Sequence, residues 1–574
     1  MSDFFQNPPL LGNQYDDDRV LRSWLHRVLP HAMLADVEPE LRRLGDRAAG
    51  DILALGEAAE AEPPRHVPYD PWGRRVDRID TSAAWRELDR ISAEEGLVAI
   101  GYERAHGSLS RVNQFARLYL FSPSSATYSC PLAMSDGAAR CLEMYGDSER
   151  LRAAYEHLTT RDPSRFWTSG QWMTERSGGS DVSGTSTVAR PEGDAFRLYG
   201  TKWFTSATTS QMAMTLARVE GAPAGSRGLS LFYLELRDGG GSLCGIRVNR
   251  LKDKLGTRAL PTAELSLEGT PAWLVGEEGR GVRTIATLFN ITRIYNACAS
   301  VAGMRRAIAL ARDYATRRVA FGRPLSEHPL HVETLAEMQV EMEAAFHLVF
   351  RAVELLGRVE CGEATEREAM LLRLLTPVVK LYTAKQAIAV DSEALEAFGG
   401  AGYIEDTGLP RLLRDAQVLS IWEGTTNVLS LDVLRAIDGG GAMKALCADI
   451  EARLASASRD ELAAAVERVR AAAGELVRRA ADDGGDGTTA TDNADREGGA
   501  RALAYSIARV YAGALLLEHA SWSLDEEHDD RSAMAALRWC SRELAPPKRV
   551  DSRHRDASSA LALDRPRHRR SSAG

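Results

Sequence analysis

The sequence predicts an α+β protein: a helical N-terminal region, a middle antiparallel β region and a C-terminal four-helix bundle, with an extra helical domain after it. Three observations carry this expectation. Apolar residues recur at three- and four-residue spacing over roughly the first 160 positions, as on one face of a helix. From about residue 165 the period drops to two, and Thr262-Ala263-Glu264-Leu265-Ser266-Leu267-Glu268 alternates polar and apolar residues as a half-buried strand does. From about residue 285 the helical period returns and runs through much longer segments.

Each region has its own signals. Residues 1–20 are polar, carry two prolines and read as an extended arm. Within the helical region 21–163, Leu21, Trp24, Leu25, Val28 and Leu29 open a pattern that continues through Leu41, Leu44, Ile52, Leu53 and Leu55 until Pro63-Pro64 stops it. Tyr69-Asp70-Pro71-Trp72-Gly73 is a turn, and helices resume over 83–160 with interruptions at Pro123 and Pro131. In the β region 164–284, Phe196–Phe204, Met212–Val219, Leu229–Leu236 and Leu243–Val248 join 262–268 as strands. Five or more strands without intervening helices imply an antiparallel sandwich or barrel. In 285–437, long amphipathic helices are expected over 295–318, 330–360 and 364–398, with a kink at Pro377 and a fourth helix after the loop at residue 423. A helical extension covers 438–545. Its Gly/Asp/Thr-rich part, 481–499, lacks an apolar anchor and reads as a flexible loop, and 546–574 reads as a disordered basic tail.

Composition narrows the function classes. Of 574 residues, 44% are hydrophobic and 26% charged, ordinary values for a globular chain of several domains. The net charge of −9 excludes a polycation, although residues 541–574 alone carry nine Lys/Arg against four Asp/Glu. The seven cysteines include no CxxC pair, which argues against a zinc site or a disulfide framework and suits a reducing compartment. The N-terminus lacks the basic and apolar regions of a secretory signal, no run of 18 apolar residues is found, and the final Ser-Ala-Gly is not the peroxisomal address. The expectation is an intracellular protein, cytoplasmic or in another compartment, without a membrane span. HExxH, GxSxG and GxxxxGK[ST] are absent and the twelve histidines do not cluster, so no metal is expected.

Four stretches could carry chemistry. In Trp172-Met173-Thr174-Glu175-Arg176-Ser177-Gly178-Gly179-Ser180-Asp181, small residues let backbone N–H groups approach a phosphate or flavin oxygen, although an ordinary polar loop has the same composition. Lys202-Trp203-Phe204-Thr205-Ser206 offers a flat aromatic wall with polar tips, which suits a planar ligand but also ends many buried strands. Phe398-Gly399-Gly400-Ala401-Gly402-Tyr403 stops a helix and permits close backbone approach; following a helix, it is not a dinucleotide motif. Ser420-Ile421-Trp422-Glu423-Gly424-Thr425-Thr426-Asn427 places a carboxylate at a break between helices. Glu423 there is either a base aimed into a buried site or a helix-cap acid, since Thr425 and Asn427 are cap formers.

Together, MTERSGGSDV (173–182), KWFTS (202–206), LKDKLGTR (251–258), RRVAFG (317–322), FGGAGY (398–403) and RDAQVLSIWEGTTN (414–427) resemble, in order, the motifs of the acyl-CoA dehydrogenase family over about residues 70–437. The N-terminal arm, YDPWGRRVD (69–77), the Trp before Glu423 and the helices beyond 437 are similar to its AidB branch, the alkylation-response flavoproteins. The resemblance implies an acyl-CoA dehydrogenase-like fold, a noncovalent FAD and a homotetramer built as a dimer of dimers. It implies that Met173, Thr174, Gly179 and Ser180 contact the flavin ring and phosphate region, and that Trp203, Thr205 and Ser206 form a second flavin wall. Arg318 and Phe321 match a strip reaching the FAD of a neighbouring subunit, Gly399 and Gly400 the adenosine-side loop, and Trp422, Thr425 and Asn427 further FAD contacts. Glu423 matches the catalytic base, which takes the α-proton of an acyl-CoA or related small acyl compound while flavin N5 accepts a β-hydride. The AidB branch also makes duplex DNA a candidate partner, in an alternative role of protection from DNA alkylation with weak or no turnover. Arg435 matches a basic position there, and Arg468, Arg470, Arg478, Arg479 and Arg501 add charge. Three positions depart from the family pattern: Ala320 for Thr and Glu396 for Gln in the FAD-tail strips, and Arg176 for Pro where an acyl-CoA would enter.

Overall fold

The computed structural model describes residues 6–482, 490–547 and 550–566. The chain forms two compact units. The first comprises Met1–Met342, Leu356–Glu363 and Thr383–Glu423; the second comprises Glu343–Leu355, Ala364–Tyr382 and Gly424–Gly574.

The first unit opens with α1 (Arg19–Val28), α2 (His31–Ala49) and α3 (Asp51–Ala61). Asp18 caps α1 by accepting from the Leu21 amide, and Leu21, Trp24 and Leu25 are buried as their spacing predicts. The turn at Asp70 joins β1 (Arg65–Tyr69) to β2 (Arg75–Asp80) in an antiparallel hairpin. The Asp70 carboxylate accepts from the amides of Trp72 and Arg74 and so closes the turn. Then come α4 (Ala83–Glu94), α5 (Ile100–Glu103), α6 (Ser110–Phe121), α7 (Ser129–Tyr145) and α8 (Glu149–Leu158). Every residue of α6 is buried. Its one deeply buried charge with two acidic partners, Arg111, is bonded to Asp136 of α7 at 2.7 Å and to Glu360 at 2.6 Å, so it is fully compensated.

The middle region holds β3 (Ser169–Trp172), β4 (Val188–Glu192), β5 (Ala195–Ser206), β6 (Met212–Val219), β7 (Leu229–Glu235), β8 (Ile246–Leu251) and β9 (Thr262–Val275). Pairing runs β6–β4–β5–β9–β7 and returns to β6, so the strands close on themselves as a barrel rather than stacking as a sandwich. Most pairs are antiparallel, but β6 pairs in parallel with both β3 and β4. Leu198, Ala213, Phe232, Leu234, Ala263 and Leu265 fill the interior, and Trp172 packs among them. The alternation of β9 serves this core: Ala263, Leu265 and Leu267 point in, while Glu264 is tied to Arg250 and Lys252.

The first unit also contains α9 (Gly281–Arg317) and a hairpin of β10 (Val319–Ala320) and β11 (Arg323–Pro324). Parts of α10 (Pro329–Glu360) and α11 (Glu366–Ala397) follow, and α12 (Pro410–Leu419) leads to its last residue, Glu423. Pro377 lies inside α11 without ending it.

In the second unit, α16 (Ala490–Trp522) is the hub, packed by α13 (Thr426–Ile437), α14 (Gly441–Ser456), α15 (Ala463–Asp482) and α17 (Arg531–Cys540). Over Asn493–Glu527 this segment is apolar enough to cross a membrane by composition, but 78% of its most apolar window is buried inside the protein. It is a core helix. The flexible loop expected over 481–499 is largely replaced by helix: α15 reaches Asp482 and α16 begins at Ala490, with 483–489 outside the described residues. Tertiary contact compensates the weak local signal there, since Asp495 pairs with Arg555 and Gly498 lies against Val550. Within the tail expected to be disordered over 546–574, Ser552–Ala562 forms α18, capped by Asp551 accepting from the His554 amide, and 548–549 and 567–574 lie outside the described residues.

Candidate active site

Glu423 sits in the break between α12 and α13, with φ +57°, a left-handed conformation that a Glu rarely adopts. Such strain persists only where surrounding contacts hold it. Within the first unit three contacts do. Thr292 Oγ1 of α9 donates to Glu423 Oε2 at 2.6 Å, Gln171 Nε2 of β3 lies 3.4 Å from Oε1, and Arg293 Nε lies 3.4 Å from the Glu423 carbonyl. The preceding turn is fixed by Asn296: its Nδ2 donates to the Leu419 carbonyl at 3.0 Å, and its Oδ1 accepts from Trp422 Nε1. Glu423 is thus a half-buried carboxylate rather than a helix cap, because no side-chain cap bond is made at the start of α13.

Across β3 the wall is built by the turn after Thr174. Glu175 and Gly178 exchange two backbone hydrogen bonds at 3.1 Å, which folds Arg176-Ser177 into a tight loop. The Trp203 amide donates to the Thr174 carbonyl at 3.0 Å, so Trp203 of β5 stands beside Met173 and Thr174. A Cβ on Gly179 would come within 2.4 Å of Thr174 Oγ1, so a side chain there would force Thr174 to shift. Met173, Thr174, Gly179 and Trp203 are therefore brought together, and Ser180 follows Gly179 as an exposed residue. The Trp203 ring carries Lys252 Nζ at 3.7 Å and the Arg176 guanidinium at 5.5 Å. Thr205 Oγ1 donates to the Ala263 carbonyl at 2.7 Å and Ser206 Oγ bonds Thr262 Oγ1 at 3.1 Å, so both hydroxyls are engaged with β9.

The wall is anchored by a buried ion pair. Lys202 Nζ lies 2.9 Å from Glu175 Oε1, and the same carboxylate accepts from Ser186 and Thr187. Burial alone would push the Glu175 carboxyl up, but Lys202 and the two hydroxyls outweigh it and hold it down to about 2.

The remaining candidates lie on other elements. Arg318 follows α9 and donates to Gln6 Oε1 at 3.1 Å. Phe321, φ +51°, is 98% exposed at the tip of the β10–β11 hairpin. Gly399, φ +61°, and Gly400 are exposed with open space around them. In the second unit, Thr425 and Asn427 are exposed at the start of α13, and the buried Lys380 donates to the Gly424 carbonyl at 2.7 Å. Arg435 is exposed in the last turn of α13. Of the arginines expected to add charge near it, Arg470, Arg478 and Arg479 are paired with Glu451, Glu467 or Glu475, which neutralises much of that face. All seven cysteines are free, and no cluster able to hold a metal occurs among the described residues.

Sequence reasoning missed Thr292, Gln171 and Asn296. Thr292 and Gln171 lie 131 and 252 residues from Glu423, and nothing in local spacing connects them to it.

The first unit thus holds a carboxylate beside β3 and an aromatic side chain, Trp203, next to the turn that follows β3. Residues 6–162 match the Adaptive response protein AidB N-terminal domain, 170–270 the acyl-CoA dehydrogenase middle domain and 279–437 the acyl-CoA dehydrogenase C-terminal domain. Residues 441–565 match the acyl-CoA dehydrogenase 11 C-terminal domain-like family. Acyl-CoA dehydrogenase family member 11 of Caenorhabditis elegans is 47% identical over 94% of this chain and 88% of its own length. The putative acyl-CoA dehydrogenase AidB of Escherichia coli is 36% identical over 68% and 72%. The crystal structure of Caenorhabditis elegans ACDH-11 in complex with C11-CoA superposes with a TM-score of 0.94, covering 98% of this chain and 97% of that one at 45% identity. The chain belongs to the acyl-CoA dehydrogenase family, with the AidB-type N-terminal domain.

FAD is the cofactor of this family, and the residues present suit it. Gly178, φ +143°, has nothing within 4 Å of where a Cβ would stand, so the turn leaves its backbone open to an anion. Gln171 Oε1 is buried without a hydrogen-bond partner, an acceptor in the wall beside Glu423.

Proposed function

We propose that the chain oxidises the Cα–Cβ bond of an acyl-CoA, with Glu423 as the base that removes the α-proton. The observation carrying this is the Glu423 carboxylate, held in a strained left-handed conformation between Thr292 and Gln171. Thr292 occupies Oε2, which leaves Oε1 to receive the proton. Before transfer Gln171 Nε2 faces Oε1; rotation of the amide presents its partnerless Oε1 to the new carboxyl O–H. Asn296 and Trp422 keep the loop from swinging away. The bound FAD supplies the acceptor for the hydride equivalent leaving the β-carbon. That a relative was solved with C11-CoA supports a thioester of medium length. Met173, Thr174, Gly179, Ser180, Trp203, Thr205, Ser206, Trp422, Thr425 and Asn427 are proposed to hold the cofactor in one subunit, with Arg318, Phe321, Gly399 and Gly400 serving its tail across a subunit boundary.

Anaerobic mixing of the FAD-loaded protein with acyl-CoAs from four to sixteen carbons is expected to bleach the flavin absorbance. Absence of bleaching at every chain length would overturn the reading. We also propose a homotetramer, as the family resemblance implies, with Phe321, almost fully exposed on a hairpin tip, at the subunit boundary. Light scattering on Phe321→Asp is expected to show a smaller assembly than the parent; an unchanged mass removes Phe321 from the interface.

A further inference from the structure

A cavity of about 80 Å³ lies among α7, α9, α11 and α12 of the first unit. At about 30 Å³ per water it has room for about two or three waters, or for one short organic molecule. Its lining includes none of Glu423, Thr292, Gln171, Asn296 and Trp422, so what it holds is independent of the acyl-CoA reading. Ala299, Ala387, Ala416 and Val418 make much of the wall apolar, and Asp391, Arg411 and Asp415 are its charged groups. A few polar groups converging on an apolar recess is the usual make-up of a small-molecule site.

Asp391 of α11 is 2% exposed and its Oδ1 has no hydrogen-bond partner. Its Oδ2 lies 4.0 Å from where a Cβ on Gly303 would stand, so the carboxyl faces α9 across a position with no side chain. A buried polar group of this kind costs free energy until something pairs with it. Burial, reinforced by Asp415, pushes the carboxyl up to about 8, so near neutral pH it carries a proton and can donate.

The groups around it favour an acceptor of negative charge. Arg411 of α12 lines the cavity, half-buried, and forms no ion pair with Asp415 although it favours the charged form of that carboxyl. Arg306, one turn beyond Gly303 on α9, is 2% exposed and bonds only neutral oxygens, Ser124 Oγ at 2.7 Å and the Ala48 carbonyl at 3.5 Å. Burial, with Arg305 and Arg411 pushing the same way and Glu57 opposing, brings its guanidinium down to about 9, so it is still charged at neutral pH. Helix α7 opens at the cavity wall with Ser129 and has no side-chain cap, which turns the positive end of its dipole toward the space. Asp415 is the opposing charge. Its Oδ1 already accepts from the Thr257 amide at 2.5 Å, and burial with Glu60 nearby pushes it up to about 6, so it offsets one arginine and not both.

We propose that this cavity is a second small-molecule site, which takes a short-chain free carboxylate held by Arg411 and Asp391 with its alkyl body against the alanines. A carboxylate accepts from both groups at once, and an inorganic anion makes no use of the apolar wall. Ordered water is the competing occupant.

The test is calorimetric titration of the full-length FAD-loaded protein with acetate, propionate, butyrate and isovalerate, and with chloride and phosphate as comparison anions. One saturable site per chain is expected, with a Kd of about 1 mM or lower for the best acid and about tenfold weaker binding of the inorganic anions. Arg411→Met and Asp391→Leu are each expected to weaken the acid by about tenfold or more. Asp391→Asn, whose amide still donates, is expected to stay within about threefold of the parent. The flavin spectrum of each variant reports whether it folds, and the half-buried Arg411 carries the test should Asp391→Leu misfold. No saturable binding by the parent would mean that water alone fills the cavity. Binding unchanged in Arg411→Met and Asp391→Leu would place the acid elsewhere in the protein. Chloride or phosphate binding as tightly as the acids would reduce the cavity to a general anion site. Each of these three results overturns the proposal.

Discussion

Glu423→Gln is expected to keep FAD bound and to slow flavin reduction by acyl-CoA by about a thousandfold or more. The amide has nearly the shape of the carboxylate and can still accept from Thr292 Oγ1 at the position of Oε2. It cannot take a proton from carbon at neutral pH. The flavin spectrum, read before substrate is added, separates loss of cofactor from loss of chemistry. A variant with full FAD and near-parental bleaching would remove Glu423 from the reaction. The left-handed backbone makes the comparison clean, because Gln faces the same strain at φ +57° that Glu does.

Lys202→Met is expected to cost about 3–5 kcal/mol of stability, because it leaves the Glu175 carboxylate buried without its cation. The pH dependence should change with it. In the parent, Glu175 is held well below the ordinary carboxylate range, at about 2. A carboxyl depressed on folding contributes stability that is fully present above its unfolded value, near 4.5, and is lost as pH falls through about 2. Without Lys202, burial dominates and the carboxyl titrates upward, so this contribution disappears and the variant loses ground most at neutral pH. Chemical denaturation at pH 3 and pH 7 tests this. The gap between parent and variant should be wider at pH 7; a gap independent of pH would mean that the pair does not set the Glu175 charge. Glu175 anchors the turn that carries Gly178 and Gly179, so FAD retention should weaken in step.

Much of the molecule was legible because its signals are periodic or local. The helical spacing from Leu21 to Leu29 and the alternation over 262–268 became α1 and β9. The Asp70 turn became a hairpin closed by its own carboxylate. The order of motifs led to the family, and within it to Glu423. What could not be read is long-range. Barrel closure depends on β6 meeting β4 in parallel and β7 antiparallel, and strand periodicity carries no information about partners. Thr292 looks like any helical threonine until the fold sets it against Glu423. The start of α16 reads as a loop by composition, yet contact with Arg555 and Val550 secures helix there.

The closed ring of the middle region also governs how that region opens. An open sheet frays from its outer strands inward, so its amides become accessible to solvent in sequence. Here β4, β5, β6, β7 and β9 each have neighbours on both sides, and no strand of the ring can detach without breaking two ladders. Their amides should therefore exchange with deuterium together, at the rate of one cooperative opening. β8, which pairs with β9 alone, should exchange sooner. Because β5 carries Trp203, that wall of the site belongs to the slow group and stays in place as long as the ring does.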